Sequence, residues 1–270
     1  EVSVIIQSCG GGGDTIGIVL SVDVILGGAG DVGGAKSNGI MMHDKLRDAG
    51  VIPLEDPYGI GKITSNFVLR PHGDERLNVV DWVLIELRDK DDMSLVASTA
   101  GLVRQDGHVI DSWDESSDPE IDVPHGDYYI VVKHRNHASV MSASAVPLSD
   151  IVTHPCDFTD PNTATWGSGA CYLEDGYMMM YGGNVNGDGW IRLLGPYAIN
   201  DYSHILNHLG RVSNVSTGYS QFDVNMDGQT RLLGPYVIND YSHILGILGR
   251  YSNVIYEQVP GNTGNTPSGN

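Results

Sequence analysis

Two segments of the chain hold the residues best suited to chemistry, and they are near-copies: residues 184–211 and 223–250 align with an offset of 39 and agree at 21 of 28 positions. Each opens on a polar loop, Asn184-Val185-Asn186-Gly187-Asp188-Gly189 in the first copy and Asp223-Val224-Asn225-Met226-Asp227-Gly228 in the second. Oxygen-bearing side chains at loop positions 1, 3 and 5 converge on a hard cation, glycine at position 6 permits the sharp turn, and the carbonyl of position 7 adds a ligand. Position 7 is Trp190 or Gln229. An ordinary calcium loop closes with a carboxylate at position 12, which here is Gly195 or Gly234. The replacement is Asp201 or Asp240, six residues later, at a helix start whose dipole favours a carboxylate. Two Ca2+ sites are expected: Asn184, Asn186, Asp188, Trp190 and Asp201 in the first, Asp223, Asn225, Asp227, Gln229 and Asp240 in the second. The second has three carboxylates against two, so it is expected to fill first.

The elements that must position these loops follow from the same repeat. After a spacer (Arg192-Leu193-Leu194-Gly195-Pro196-Tyr197 in the first copy) comes a helix beginning at Asn200-Asp201 or Asn239-Asp240. Tyr202, Ile205, Leu206 and Leu209 form one apolar stripe, and Tyr241, Ile244, Leu245 and Leu248 form its counterpart. Gly210 and Gly249 stop the helices. Neither loop–helix unit can bury its stripe alone, so the two are expected to pack face to face.

Other reactive residues suggest less. His134-Arg135-Asn136-His137 and His125-Gly126-Asp127 hold groups for acid–base or metal chemistry, but strand periodicity places His134 and Asn136 on one face and His137 on the other, against a shared site. A non-enzymatic protein is expected. Trp82 reads as core, while Trp113 and Trp166 lie in polar loops and offer stacking surfaces for sugars. Cys156 and Cys171 flank a short loop rich in Thr, Gly and Asn, where a disulfide would add ~3 kcal/mol by loop entropy. Cys9 is then left over, either buried or bonded to another chain. Asn214-Val215-Ser216 is a glycosylation sequon, and Thr15 and the Thr/Ser/Pro-containing tail are candidates for O-linked sugars.

Ahead of the repeat, strand patterns follow at short spacing: Ile18–Leu26, Asn66–Leu69, Val79–Leu87, Leu95–Val103, Tyr128–His134 and Ser139–Val146. The run from Val80 to Leu87 is apolar on both faces, as in a central strand. One helix is expected among them, capped by Ser37 or Asn38, burying Met41, Met42 and Leu46 and stopped by Gly50. The expected fold is mainly β: an antiparallel β-sandwich over 16–158, a linker with the disulfide loop over 159–183, and a small duplicated calcium loop–helix domain over 184–256.

The ends complete the division. Residues 1–15 pair a short β-branched strand, with Val2, Val4, Ile5 and Ile6 as subunit-binding residues, with a tether of four glycines at 10–13. Such a strand either folds back as an edge of its own domain or completes the sheet of a neighbour, whose open edge supplies the hydrogen bonds. Residues 257–270 form a low-complexity polar tail. The chain starts at Glu1 without a leader, as an exported and processed protein would. Its 34 acidic against 15 basic residues, net charge −19, exclude sequence-independent binding to nucleic acid and docking on anionic membranes. No apolar run approaches the ~20 residues of a spanning helix, so no membrane insertion is expected.

The duplicated loop–helix resembles the dockerin-type calcium repeats of secreted bacterial proteins, with an inserted spacer. Met42-His43-Asp44-Lys45-Leu46-Arg47 leading to Ile52-Pro53-Leu54, Asp56-Pro57-Tyr58, Val80 to Asp89, Gly126-Asp127-Tyr128-Tyr129 and His134-Arg135-Asn136-His137 resemble a β-rich module found beside such repeats. The resemblance spans roughly residues 18 to 255 and implies an extracellular or cell-surface setting and calcium. It assigns no chemistry, and the missing position-12 carboxylate speaks against cohesin binding. The leading expectation is an extracellular structural protein whose copies join head to tail by strand donation into a filament stiffened by calcium. The alternative is an adhesin module that binds carbohydrate, such as surface glycans, or protein.

Overall fold

A computed structural model describes residues 16–30, 41–151, 155–235 and 238–260. The residues assigned to the donated strand (Val2, Val4, Ile5, Ile6), together with Cys9, Thr15, Ser37 and Asn38, lie outside the described residues. The fold is mainly β with antiparallel sheets. Val79–Asp89 is the centre of a six-stranded sheet, flanked by Leu95–Arg104 on one side and Gly126–His134 on the other. Gly126–His134 in turn pairs with His137–Met141 and Val146–Leu148, and Val109–Ile110 pairs with two residues at the far end of Leu95–Arg104. The central position explains the two-faced apolar pattern: Trp82, Val83, Ile85 and Leu87 are all buried.

Smaller strand pairs pack around this sheet. Ile16–Val19 pairs with Glu120–Val123, Cys171–Glu174 with Tyr177–Met180, and Val22–Asp23 runs parallel to Cys156–Asp157. They bring Ile18, Val22, Ile121 and Met180 into the main core with Trp82, Ile85 and Leu102. Residues 159–183, expected as a linker, thus contribute Ala170, Cys171, Met179 and Met180 to that core.

Several expectations shift for local reasons. Asn66–Leu69 is a turn, because Leu69 N bonds back to Ser65 O at 3.1 Å and Phe67 is left 64% exposed. Ile18–Leu26 breaks at Leu20-Ser21, its halves pairing with different partners. Ser139–Val146 divides into the ends of two strands. The early helix spans only Lys45–Asp48, since Met41 and Met42 donate their amides to Gln105 O and Met42 bridges Gly30. Cys156 and Cys171 are both buried free thiols rather than a disulfide. Each is tied to a different strand pair, Cys156 opposite Val22 and Cys171 opposite Met180, and burial pushes each thiol up to about 12.

The duplicated segment folds as the repeat dictates. Its helices are Asp201–Leu209 and Asp240–Leu248. Asn200 and Asn239 cap them by accepting from Ser203 N and Ser242 N, and Gly210 and Gly249 close them at φ 71° and 67°. The two stripes meet: Ile205, Leu209, Ile244 and Leu248 are buried in one cluster, with Tyr202 and Tyr241 edge to face at 5.6 Å. The copies are also laced across each other. Trp190–Arg192, leaving the first loop, pairs with Val254–Tyr256 beyond the second helix, and Gln229–Arg231 pairs with Val215–Thr217 beyond the first. Asn214 of the sequon donates its side-chain amide to Leu209 O at 2.9 Å, and Asn253, which heads no sequon, does the same to Leu248 O at 2.8 Å. This asparagine therefore has a structural task in both copies.

Candidate metal centres

In each copy the late aspartate is the one that closes the loop. Asp201 accepts from Val185 N (3.0 Å) and Arg192 N (2.9 Å), so its carboxylate spans both limbs of the first loop. Asp240 does the same between Val224 N (2.6 Å) and Arg231 N (2.7 Å). The helix N-terminus carries the carboxylate inward, which is why six inserted residues do not prevent closure. Position 5 is held alike in both copies: Asp188 accepts from Trp190 N at 2.8 Å and Asp227 from Gln229 N at 3.0 Å. The glycine at position 6 is required, since Gly189 and Gly228 sit at φ 80° and 83°.

The electrostatics of the loops favour a cation. Asp201, Asp223 and Asp240 are fully buried, and desolvation raises Asp201 to about 8, Asp223 to about 7 and Asp240 well above the carboxylate range. Like-charge repulsion raises them further, from Asp223 onto Asp240 and from Asp227 onto Asp223. A carboxylate so placed needs a proton or a positive ion. The side-chain oxygens of Asn184 and Asn225, from residues 5% and 4% exposed, have no hydrogen-bond partner. An amide oxygen buried and unbonded costs about 1–3 kcal/mol unless a cation takes it. Among the described residues no three His, Cys, Asp or Glu side chains already converge as a metal cluster. Arg192 and Arg231 instead occupy the position-5 carboxylates, at 2.7 Å from Asp188 and 2.6 Å from Asp227.

The copies differ in what surrounds them. The second loop is docked on the body. Met226, at position 4, is fully buried in the main core, whereas its counterpart is Gly187. Met226 holds φ 54°, which costs about 1–2 kcal/mol. Burying the side chain returns about 1.5–3 kcal/mol. Asn136 donates to Asp223 O at 2.8 Å, and the His43 side chain bonds the Asn225 backbone. A Cβ on Gly28 would stand 2.2 Å from Val224 O, so only glycine lets body and loop approach this closely. The first loop instead borders a cavity of about 560 Å³, shared with Lys133, Arg135, Ser139 and Glu257.

The histidine motif lies at this junction. Residues 135 and 136 turn the chain, so His134 pairs with His137 across the hairpin, and their Nδ1 atoms are 2.7 Å apart. The expectation that they face opposite ways is corrected, since a strand's alternation fails where the strand turns. Gly28 N donates to His137 Nε2 (2.9 Å), which puts that ring's proton on Nδ1, within reach of Asn136 Oδ1 (2.8 Å) and His134 Nδ1. His134 Nε2 meets Asp81 at 3.0 Å. Burial holds His134 down to about 3 and His137 well below its usual value, so both rings are neutral. Asp81 also pairs with Arg135 and accepts from Tyr219 Oη at 2.8 Å, while Arg135 donates to Ser220 O. The motif thus fastens the repeat to the body. Trp166 packs on Tyr129 beside Val131 and Val259, leaving Trp113, 62% exposed, as the open aromatic of the pair.

Sequence reasoning missed Met226, Asn136 and Gly28. One signal was present: an apolar residue at position 4 of a polar loop in one copy alone. Comparison of the chain with protein-family models, with curated proteins and with solved structures found no match.

Proposed function

We propose that this protein is a non-catalytic extracellular structural subunit, two calcium ions stiffening its repeat and copies joining head to tail by donation of the Val2–Ile6 strand. The observation that carries the assembly is an unfinished sheet edge. Leu95–Arg104 pairs with Val79–Asp89 along one side, but on the other only Leu102 and Val103 have a described partner strand. Leu95 to Ala100 carries neither charge nor proline, and Leu95 and Val96 are 58% and 43% exposed. Sheet edges in monomeric proteins are ordinarily blunted by charge, proline or a covering loop. A β-branched strand on a glycine tether suits such an edge in length and character. A heterologous contact of this kind does not close, so it propagates into a filament.

Calcium enters through the residues that fit it. Buried carboxylates with raised pKa values and orphaned amide oxygens at positions 1 and 3 form a donor set of hard oxygens, the kind Ca2+ prefers. When bound, the ion would supply the positive charge these loops lack and release Arg192 and Arg231 from the position-5 aspartates. The finer fold reading goes with this one: a β-sandwich body and a dockerin-like calcium domain.

Removing residues 1–8 tests the assembly. Filaments of the full chain in electron micrographs, replaced by single particles of the shortened chain, are the expected result. Filaments that persist without those residues, or a full chain that stays monomeric at high concentration, would overturn it. The exposed Trp113, flanked by Asp111 and Asp114, keeps a second reading in play. Under the adhesin reading, glycan-array binding is lost in Trp113→Ala and unchanged by the deletion.

A further inference from the structure

The two cation loops look unequal in charge because position 1 is Asn184 in the first and Asp223 in the second. The structure places another carboxylate beside the first loop, from a residue outside the aligned copies. Glu257 follows the strand Val254–Tyr256, and its amide donates to Gly189 O, the carbonyl of loop position 6, at 2.7 Å. At the same offset of 39, its counterpart is Gly218, whose amide donates to Gly228 O at 3.0 Å. Residues 257 and 218 therefore occupy one structural position, reached in each case by the strand that crosses from the other copy.

The substitutions are reciprocal. Where position 1 has lost its carboxylate, the crossing strand brings Glu257; where position 1 keeps Asp223, the crossing strand brings glycine. Glu257 lines the same cavity as Asn184, Asn186 and Asp188. The Asn184 side-chain oxygen, in a residue 5% exposed, is buried there without a partner. One Glu257 oxygen accepts from Ser139 N at 3.1 Å, which fixes the carboxylate at the cavity wall.

We infer that Glu257 is a ligand of the first calcium ion, so that this site is completed by the segment beyond the second repeat. Resting on the calcium reading above, this gives both sites three carboxylates: Asp188, Asp201 and Glu257 in one, Asp223, Asp227 and Asp240 in the other. Binding at the first site then ties the C-terminal segment to the body through Ser139. Charge count sets affinity in such loops, so losing one carboxylate weakens binding strongly.

Trp190, at position 7 of the first loop, gives a site-specific readout, because the second loop has Gln229 there. Terbium(III) titrations followed by Trp190-sensitised emission report the first site, and calorimetry with Ca2+ counts both. Glu257→Gln keeps the size of the side chain and is expected to weaken terbium binding at the first site tenfold or more while the second site is unchanged. Adding Asn184→Asp, which moves the charge to position 1 as in the second copy, should restore it. Wild-type emission curves in Glu257→Gln, or a double variant as weak as the single one, would overturn the assignment. A wild-type protein that binds one Ca2+ and gives no Trp190-sensitised emission would overturn it while sparing the second site. A wild-type protein that binds neither ion would sink the calcium reading itself.

Discussion

The two halves of the repeat share their local structure and differ in their surroundings. Both close with an aspartate from the helix start, both bond an arginine to position 5, and both cap their helices with asparagine and glycine. Yet the second loop is wedged into the body by Met226, Asn136 and His43, whereas the first opens on a cavity. Asp223 is held in advance by Asp227 N (3.1 Å) and Gly228 N (2.8 Å), while Asn184 Oδ1 has no partner. Pre-organisation thus separates the sites even where charge does not, and the second is still expected to fill first. A duplicated sequence preserves the loop; its setting decides how tightly the loop is held.

Withdrawing the metal should have the largest effect on this pair. At a hundred times the dissociation constant each ion adds about 2.7 kcal/mol, so two should raise the melting temperature by roughly 10–20 °C over a chelated sample in calorimetry. A chelator that leaves the melt unchanged would remove calcium from the account. Next comes Gly28→Ala, whose new methyl meets the Val224 carbonyl. A loss of about 3 kcal/mol or more is expected in denaturant melts, with faster proteolysis between body and repeat. Met226→Gly gives the second loop the first loop's residue, and relief of the positive φ offsets part of the lost burial. The expected cost is about 1–2 kcal/mol, and the affinities of the two sites should draw closer.

Acidity sharpens the comparison in another way. In metal-free protein Asp201 and Asp223 keep their protons to about pH 8 and 7, whereas an unfolded aspartate releases its proton near 3.9. The folded form therefore binds more protons in that window, and stability falls as pH rises from about 4 to 8. With calcium the slope should flatten, because the ion replaces the proton. Melting curves in chelator across this range test the sign. The smallest effect is expected from thiol reagents: Cys156 and Cys171, buried and pushed up to about 12, should react only after denaturation.

Much of the repeat was legible because its signals are local. Loop oxygens, the glycine at φ near 80°, the Asn cap and the Gly stop act within a few residues, and duplication displays each of them twice. The central strand was legible for a similar reason, since a run apolar on both faces has to be covered on both. Asn66–Leu69 misled because a β-type pattern of four residues is too short to outweigh a serine that starts a turn.

The sequence alone therefore determined the paired polar loops, the helix caps beside them and the mainly β body, all set by periodicity and by hydrogen bonds between near neighbours. Only the tertiary structure decided that the strands cross between copies, that Met226 anchors one loop, that His134 and His137 face each other, and that Glu257 stands beside a loop far ahead of it in sequence. Those contacts join residues distant along the chain, and their free energy comes from burial and from pairing polar groups that meet only once the core has formed.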